Sequence, residues 1–199
     1  MNLSLRRLRF VPLVSMKFSI LVALLMSSVA FAADERKPVS TANEVAVIKT
    51  SQGEMVVQFW TDAAPETIAN FKKLARSGFY NGTIFHRIVK GFVVQGGMGH
   101  TRPDKAAHAA DRWVRELKGE FREDVKHTRG VVSMARNDDP NSASTSFFLM
   151  LGDAPHLDGK YTAFAQILGG IEVLEAFEKE EVDGETPKRR LEIIEARIE

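Results

Sequence analysis

The chain has 199 residues, long enough for one domain with a substantial core, and its 44% hydrophobic and 27% charged residues are typical of a folded globular protein. It contains no cysteine, which excludes a disulfide framework, a thiol nucleophile and a cysteine-based metal site. Its 27 basic and 26 acidic residues nearly balance, and no basic patch with interleaved aromatic residues is present, so we exclude a nucleic-acid-binding role.

The first 32 residues have the pattern of an export signal. Their charged side chains are all basic: Arg6, Arg7, Arg9 and Lys17. An apolar run over 18–29 follows, and Ala30-Phe31-Ala32 supplies the small-x-small pattern of a cleavage site, which predicts a cut before Ala33. Such a cut removes four of the 27 basic residues and no acidic residue, so the mature chain carries a net charge of −3.

Two alternatives to this reading of the N-terminus remain open. Translation can start at Met16, because Met16-Lys17 and the apolar run form a compact signal by themselves. The stretch 10–33 is also nearly long enough for an uncleaved membrane anchor, but Lys17 interrupts it and leaves an apolar run of 12 residues. We therefore expect export with cleavage and no stable membrane insertion afterwards.

The mature chain begins with a polar lead and then becomes β-like. Residues 33–43 contain a proline and few apolar side chains, which is typical of a flexible lead. From Glu44 two apolar-rich runs, EVAVIKT and EMVVQFW, flank a Ser-Gln-Gly turn at 51–53 and predict a hairpin.

The next segment, TDAAPETIANFKKLARSGFY, predicts an amphipathic helix. Its apolar residues recur at intervals of three and four, Pro65 suits the first turn, and Gly78 ends the pattern. Thr61 or Asp62 can cap it. One apolar stripe indicates that this helix covers an opening of a sheet or barrel.

The rest of the chain predicts further short strands and one more helix. FHRIVKGFVVQGG, residues 85–97, contains two short runs around a bend at Gly91. Residues 98–126 predict a long surface excursion with a helical turn within 110–121. Three apolar runs, a helix and a closing strand are then predicted at 130–135, 146–151, 161–168, 171–180 and 188–198. Two helices and seven or eight strands without a βαβ rhythm indicate an antiparallel barrel or sandwich with helices at its ends.

Motifs of covalent, nucleotide and metal chemistry are absent from the sequence. It has no GxSxG elbow, HExxH pair, GxxxxGK[ST] loop or GxGxxG turn, and its five histidines lack close ligand spacing. A Ser/His/Asp triad can be drawn from Ser133, His127 and Asp138, but proximity in sequence is weak evidence for it. We expect no cofactor and no metal.

The run SFFLML over 146–151 predicts a strand with two different faces. Alternation places Ser146, Phe148 and Met150 on one side and the intervening residues on the other. One aromatic face can therefore border a groove while the opposite face fills the core, although most phenylalanines are simply buried.

Four motifs, in this order, resemble the cyclophilin family of peptidyl-prolyl cis-trans isomerases. They are FHRIVKGFVVQGG, GVVSMAR, SFFLML and HLDGKYTAFAQI. The resemblance covers about 44–199, and with the export signal the chain is most similar to periplasmic bacterial cyclophilins. It implies a closed eight-stranded antiparallel barrel capped by two α-helices, with a substrate groove on the outer face.

The resemblance also implies the roles of individual residues. Arg87 matches the catalytic arginine, and Phe92 and Phe148 match the aromatic residues that hold the substrate proline. Strand alternation alone would place Phe92 opposite Val93 and Gln95, so Phe92 reaches the groove only if the bend at Gly91 reorients it. The further substrate-binding positions implied are Val93, Gln95, Ala135, Arg136, Ser146, His156, Leu157 and Tyr161.

Four of these positions depart from the best-known members, which have glutamine at Ser146, asparagine at Arg136, tryptophan at His156 and histidine at Tyr161. Ser146 is the most serious departure, because a hydroxyl is too short to replace the contact of a long amide with the substrate backbone. We therefore expect weaker peptide binding and reduced activity.

Two functions follow from the resemblance. The first is an exported, monomeric periplasmic isomerase that accelerates Xaa-Pro bond rotation in proline-containing clients, namely unfolded or partly folded exported proteins. The alternative is a chaperone or scaffold module that binds proline segments with little turnover, and Ser146 is its motivation.

Overall fold

An eight-stranded antiparallel sheet dominates the computed structural model, which describes residues 44–104 and 108–199. Its strands are β1 (Val45–Thr50), β2 (Gly53–Phe59), β3 (Phe85–Val89), β4 (Val93–Gly96), β5 (Val131–Met134), β6 (Phe147–Met150), β7 (Ala163–Gly169) and β10 (Ile193–Ile198). The other elements are α1 (Pro65–Arg76), α2 (Glu172–Lys179) and a small hairpin of β8 (Val182–Asp183) and β9 (Thr186–Pro187). The predicted mainly β fold with two helices is confirmed.

The closed barrel that the resemblance implied is not confirmed. The continuous ladder runs in the order β10-β1-β2-β7-β5-β6-β4-β3, so β10 and β3 are its two ends. Across these ends a single isolated bridge pairs Ile84 with Glu192, and the Phe85 amide donates to the Leu191 carbonyl at 2.8 Å. The sheet is therefore a curled half-barrel whose ends approach each other.

The two faces of β6 behave as its alternation predicted. Phe147 and Leu149 belong to the main core, where Phe71 of α1 meets Phe147 edge to face with ring centroids 5.6 Å apart. Phe148 and Met150 belong to a second buried cluster on the other side of the sheet. The strand therefore separates the packed interior from the face that carries the site.

Helix α1 begins later than the sequence predicted. Ala64 is its N-cap and makes no side-chain capping bond, so the predicted cap at Thr61 or Asp62 is wrong. The amides of Glu66 and Thr67 instead donate to the two carboxylate oxygens of Glu120, at 3.0 and 2.8 Å. A side chain from the long 98–126 segment thus supplies the acceptors that a local cap would provide.

The predicted bend at Gly91 is present. Gly91 has a φ of +73°, which favours glycine, and the Phe92 amide donates to the Val89 carbonyl at 2.9 Å to close the turn. Strand β4 begins only at Val93, so Phe92 is released from strand alternation.

The 98–126 segment is irregular, as predicted. Outside 105–107, which the structure does not describe, it contains two 3₁₀ turns, Gly99–Thr101 and Ala109–Trp113. The buried Arg102 donates from Nε to the Phe79 carbonyl at 3.1 Å, which ties the segment to the turn that follows α1, and it pairs with Asp111 at 3.0 Å. The predicted signal (1–32) and lead (33–43) lie outside the described residues. In the part that is described, no helix is long and apolar enough to cross a membrane.

Candidate active site

A small cavity on the outer face of the sheet brings together most of the residues singled out in the sequence. It has a volume of about 130 Å³, which suits a single small side chain or ring rather than a large ligand. It is lined by Arg87, Phe92, Val93, Gln95, Ala135, Arg136, Phe148, Leu157 and Tyr161. Arg87 lies on β3, Val93 and Gln95 on β4 and Phe148 on β6, and the other five lining residues lie between strands.

Arg87 places a guanidinium on the cavity wall, and hydrogen bonds to Glu185 and Gln95 fix its orientation. Its side chain is 36% exposed. Nε and Nη2 donate to the two carboxylate oxygens of Glu185 at 2.6 and 3.2 Å, and Nη1 donates to Oε1 of Gln95 at 3.4 Å. The Nη1 edge of the guanidinium therefore lies on the side of Gln95.

Gln95 is oriented in turn by Ser146. The Gln95 Nε2 donates to Ser146 Oγ at 3.3 Å, and Ser146 Oγ donates to the Gly96 carbonyl at 3.0 Å. Ser146 is only 8% exposed and does not line the cavity. The structure thus places Ser146 beneath Gln95 rather than on the wall of the cavity.

Aromatic side chains form the apolar part of the wall. Phe148 meets Tyr161 edge to face with ring centroids 5.9 Å apart. Phe92 stacks on His156 with centroids 5.5 Å apart and an angle of 28° between the planes. His156 is exposed and does not line the cavity, so it supports the outer side of Phe92.

Arg136 is a second guanidinium at the cavity, and it is held in place. It lies over the Tyr161 ring with its Cζ 4.4 Å from the centroid. Nε and Nη2 donate to the Lys160 carbonyl at 3.2 and 3.1 Å, and Nη1 donates to the Asn137 carbonyl at 2.8 Å. Arg136 therefore contributes a fixed positive wall, and three of its nitrogens are already engaged.

A buried Ser/His/Asp arrangement lies beneath Phe148. His127 stacks on Phe148, its Nε2 is 3.1 Å from Ser133 Oγ, and its Nδ1 is 3.1 Å from Asp158 Oδ1. The acid is Asp158, not the Asp138 considered from the sequence. Because Ser133 has no exposed surface and His127 is 2% exposed, a substrate cannot reach this hydroxyl, and the arrangement supports the floor of the cavity.

Burial and hydrogen bonds shift the pKa values around this arrangement. Burial lowers the pKa of His127 below its ordinary value, against the opposing effect of Asp158. Burial alone would raise the pKa of Asp158, but bonds from His127 and Lys126 hold it below its usual range. His127 is therefore neutral near pH 7 and Asp158 is ionised. Next to Arg87, burial together with the charges of His100 and Arg87 lowers the pKa of His86.

A second, larger cleft of about 610 Å³ opens elsewhere on the molecule. Trp60, Asp62, Arg122, Asp124 and Lys126 are among its lining residues. None of the residues predicted for the site borders it, and its Arg122 already pairs with Asp124. Within the described ranges, no group of three or more metal-ligating side chains is present.

Comparison with known proteins decides the family. The family model for "Cyclophilin type peptidyl-prolyl cis-trans isomerase/CLD" matches residues 45–198, well over half of the chain. The chain belongs to the cyclophilin family. The motif resemblance noted in the sequence is therefore confirmed.

Individual cyclophilins support this assignment. The chain is 39% identical over 142 residues to peptidyl-prolyl cis-trans isomerase-like 3 of Gallus gallus, which covers 70% of this chain and 84% of that protein. It is 41% identical over 147 residues to an isomerase of Arabidopsis thaliana, covering 72% of this chain and 62% of the other.

Solved structures show the same fold. A cyclophilin type isomerase of Cryptosporidium parvum, crystallised in the presence of the dipeptide Ala-Pro, matches with a TM-score of 0.69 and 28% identity over 78% of this chain and 98% of that one. A cyclophilin of Hirschia baltica matches with a TM-score of 0.65 and 26% identity, covering 79% and 74% of the two chains.

The sequence did not predict two residues that support this cyclophilin site: Glu185, which binds Arg87, and Asp158, which binds His127. Glu185 follows a Val-Asp-Gly stretch, and an Asp-Gly pair is a hairpin signal, but nothing local indicates that its carboxylate meets an arginine 98 positions away. Asp158 lies inside the HLDGKYTAFAQI motif, yet its pairing with His127 depends on the fold.

Proposed function

We propose that this cyclophilin accelerates cis-trans rotation of Xaa-Pro bonds without a covalent intermediate. The observation that carries the proposal is the position of Arg87, a permanent hydrogen-bond donor on the wall of a small cavity that also presents the apolar side chains of Phe92 and Phe148. A related cyclophilin was crystallised in the presence of the dipeptide Ala-Pro. The volume of the cavity in this protein suits a ring of the size of proline.

The chemistry follows from amide resonance. Rotation about the bond must break that resonance at a barrier of about 18–20 kcal/mol, and in the twisted state the prolyl nitrogen regains a lone pair. A donor fixed opposite this nitrogen binds the twisted state better than the planar one, which is the condition for catalysis. Arg87 suits this role because its guanidinium remains protonated.

The apolar wall strengthens the effect of the donor. Phe92, Val93, Phe148 and Leu157 would surround the proline ring and exclude water from the Arg87 side of the bond. One charged hydrogen bond contributes about 1.5–3 kcal/mol, and a tenfold rate gain requires about 1.4 kcal/mol. Arg87 alone thus accounts for one to two decades, and binding of the twisted conformer supplies the remainder.

The test is the cis-to-trans rate of a short Ala-Xaa-Pro-Phe peptide with purified residues 33–199, measured beside Arg87→Ala. We expect catalysis above the uncatalysed background and a loss of at least tenfold in the variant, with thermal unfolding as the control for folding. A folded protein without catalysis would contradict the isomerase. Peptide binding without turnover would instead support the alternative, a proline-binding chaperone or scaffold.

We also propose that the clients are unfolded or partly folded exported proteins and that the mature enzyme acts as a periplasmic monomer. The support is the pattern of residues 1–32, with basic residues, a 12-residue apolar run and a small-x-small site before Ala33. Slow Xaa-Pro exchange, which takes about tens to hundreds of seconds unaided, can limit folding, so an exported isomerase has a physical task there.

We also propose that the sheet closes into a barrel. The support is the Ile84–Glu192 bridge together with the hydrogen bond from the Phe85 amide to the Leu191 carbonyl, both of which lie between the two ends of the sheet. Slow hydrogen exchange of the Phe85 amide would support closure, since an open edge leaves its amides to water.

A further inference from the structure

The ion pair between Arg87 and Glu185 has a geometry beyond simple charge proximity. Nε and Nη2 of Arg87 each donate to a different carboxylate oxygen, at 2.6 and 3.2 Å. Two parallel bonds along one edge of a planar guanidinium fix both its position and its plane. The bond from Nη1 to Gln95, at 3.4 Å, holds the other side.

The backbone of Glu185 is also tied to the strand that carries Arg87. Glu185 lies in the turn between β8 and β9, and its carbonyl accepts from the Ile88 amide at 2.8 Å. Ile88 is the residue directly after Arg87, so the carboxylate and the guanidinium start from backbones that are hydrogen-bonded to each other. The hairpin therefore presents Glu185 at a defined place beside the site.

We propose that Glu185 is a positioning residue for Arg87. It occupies the Nε edge of the guanidinium and thereby leaves the N–H of Nη1 that Gln95 does not use, on the side of Gln95, for the prolyl nitrogen. This inference rests on the proposed isomerase activity and assigns a role in it to the β8–β9 hairpin.

Orientation, rather than charge, is what Glu185 supplies. Arginine stays protonated without a partner, so the carboxylate is not needed to keep the donor charged. A long side chain that is 36% exposed would otherwise sample several rotamers, and each turnover would then require it to be ordered again. The bonds to Glu185 provide that order before the substrate binds.

The same ion pair also has an effect that opposes catalysis by Arg87. A carboxylate beside the guanidinium also occupies two of its donors and reduces the local positive potential. If this effect dominated, removal of Glu185 would raise the isomerase rate. The sign of the change therefore separates positioning from competition.

The experiment compares Glu185→Gln and Glu185→Ala with the unaltered protein over residues 33–199. We expect kcat for an Ala-Xaa-Pro-Phe peptide to fall about two- to fivefold, the range of a partly exposed ion pair, while KM changes little. Glu185→Gln has nearly the same shape and carries the test if Glu185→Ala does not fold.

Glu181→Gln is the matched control. Glu181 is close to Glu185 in sequence, is exposed and pairs with Lys188 at 3.0 Å rather than with the site. Its removal should leave kcat unchanged, which separates loss of Glu185 from a general effect on the hairpin.

A spectroscopic measurement gives a second readout. With ¹⁵N-arginine labelling, the Arg87 Nε–H should exchange slowly with water in the unaltered protein and in Glu181→Gln, and rapidly in both Glu185 variants. Unchanged or increased kcat in Glu185→Gln, or unchanged exchange, would overturn the inference alone. An unaltered protein without turnover would overturn the proposed function first and this inference with it.

Discussion

At the scale of single residues, Ser146 shows how the fold changes the meaning of a substitution. The sequence placed it at a substrate-binding position, where a hydroxyl is shorter than the amide of the best-known cyclophilins. In the structure Ser146 is 8% exposed, and its hydroxyl accepts a hydrogen bond from Gln95, which in turn accepts one from Arg87. Ser146 therefore connects to the proposed chemistry through two other side chains, and the prediction of weaker peptide binding remains open.

His127 gives the molecule a pH dependence that can be predicted in sign. Its pKa is lowered mainly by burial, whereas in the unfolded chain it is about 6.5. Below that pH the His127 ring is more fully protonated in the unfolded chain than in the folded protein, so the unfolded state binds more protons. The free energy of unfolding should therefore decrease as the pH falls from 7 towards 5.5.

The measurement is urea unfolding at pH 7.0, 6.5, 6.0 and 5.5 for the protein and for His127→Gln. The variant should be less stable at pH 7, because Ser133 loses its partner and Asp158 loses one of its partners, but its stability should change less with pH. His86, whose pKa is also lowered, contributes with the same sign in both proteins, so the difference between slopes isolates His127. Equal slopes would refute the prediction.

At the scale of elements, the capping of α1 by Glu120 couples the long segment to the helix. The amides of Glu66 and Thr67 have no acceptor within their own turn, and both donate to this carboxylate. A negative charge at this end of a helix is additionally favourable because it opposes the helix dipole.

Glu120→Ala should therefore lower the free energy of unfolding by about 0.5–2 kcal/mol, the usual cost of losing an N-cap. Glu116→Ala is the control, since Glu116 is an exposed carboxylate on the same segment. Chemical denaturation of both variants measures the difference. A Glu120→Ala protein as stable as Glu116→Ala would show that water satisfies these amides equally well.

The sequence predicted secondary structure correctly where an apolar pattern repeats. It did not do so where a distant residue or a very short strand determines the structure. Alternation located β6 and its two faces, and the spacing of three and four located α1. The start of α1 was misplaced because its capping oxygens come from Glu120, about 50 positions away. The hairpin of β8 and β9 was missed because strands of two residues show no periodicity.

The same distinction applies to the site. The motifs named all nine residues that line the cavity, and the bend at Gly91 explains how Phe92 joins them. They also named Ser146 and His156, which the structure places behind Gln95 and outside Phe92. Glu185 was not found, because ion pairing between remote segments leaves no mark in a local pattern.

At the scale of the whole molecule, the proposed export would divide the chain into a segment that is removed and a segment that folds. The proposed cleavage site directly follows the apolar run at 18–29, so cleavage there would release the isomerase domain from that run. The predicted cut before Ala33 also changes the net charge from +1 to −3, because the removed residues carry only positive charges.

Expression of the full chain in a Gram-negative bacterium tests this division. The periplasmic fraction should contain a protein whose intact mass and N-terminal sequence begin at Ala33. Ala32→Phe should block cleavage, because a large side chain replaces the small residue before the cut, and the uncleaved chain should then remain with the membrane fraction. Phe31→Leu is the matched control, since the middle position of the small-x-small pattern is not restricted, and it should be processed normally. A cytoplasmic protein that retains residues 16–32 would refute export, and processing of Ala32→Phe at the same bond would refute the assigned site.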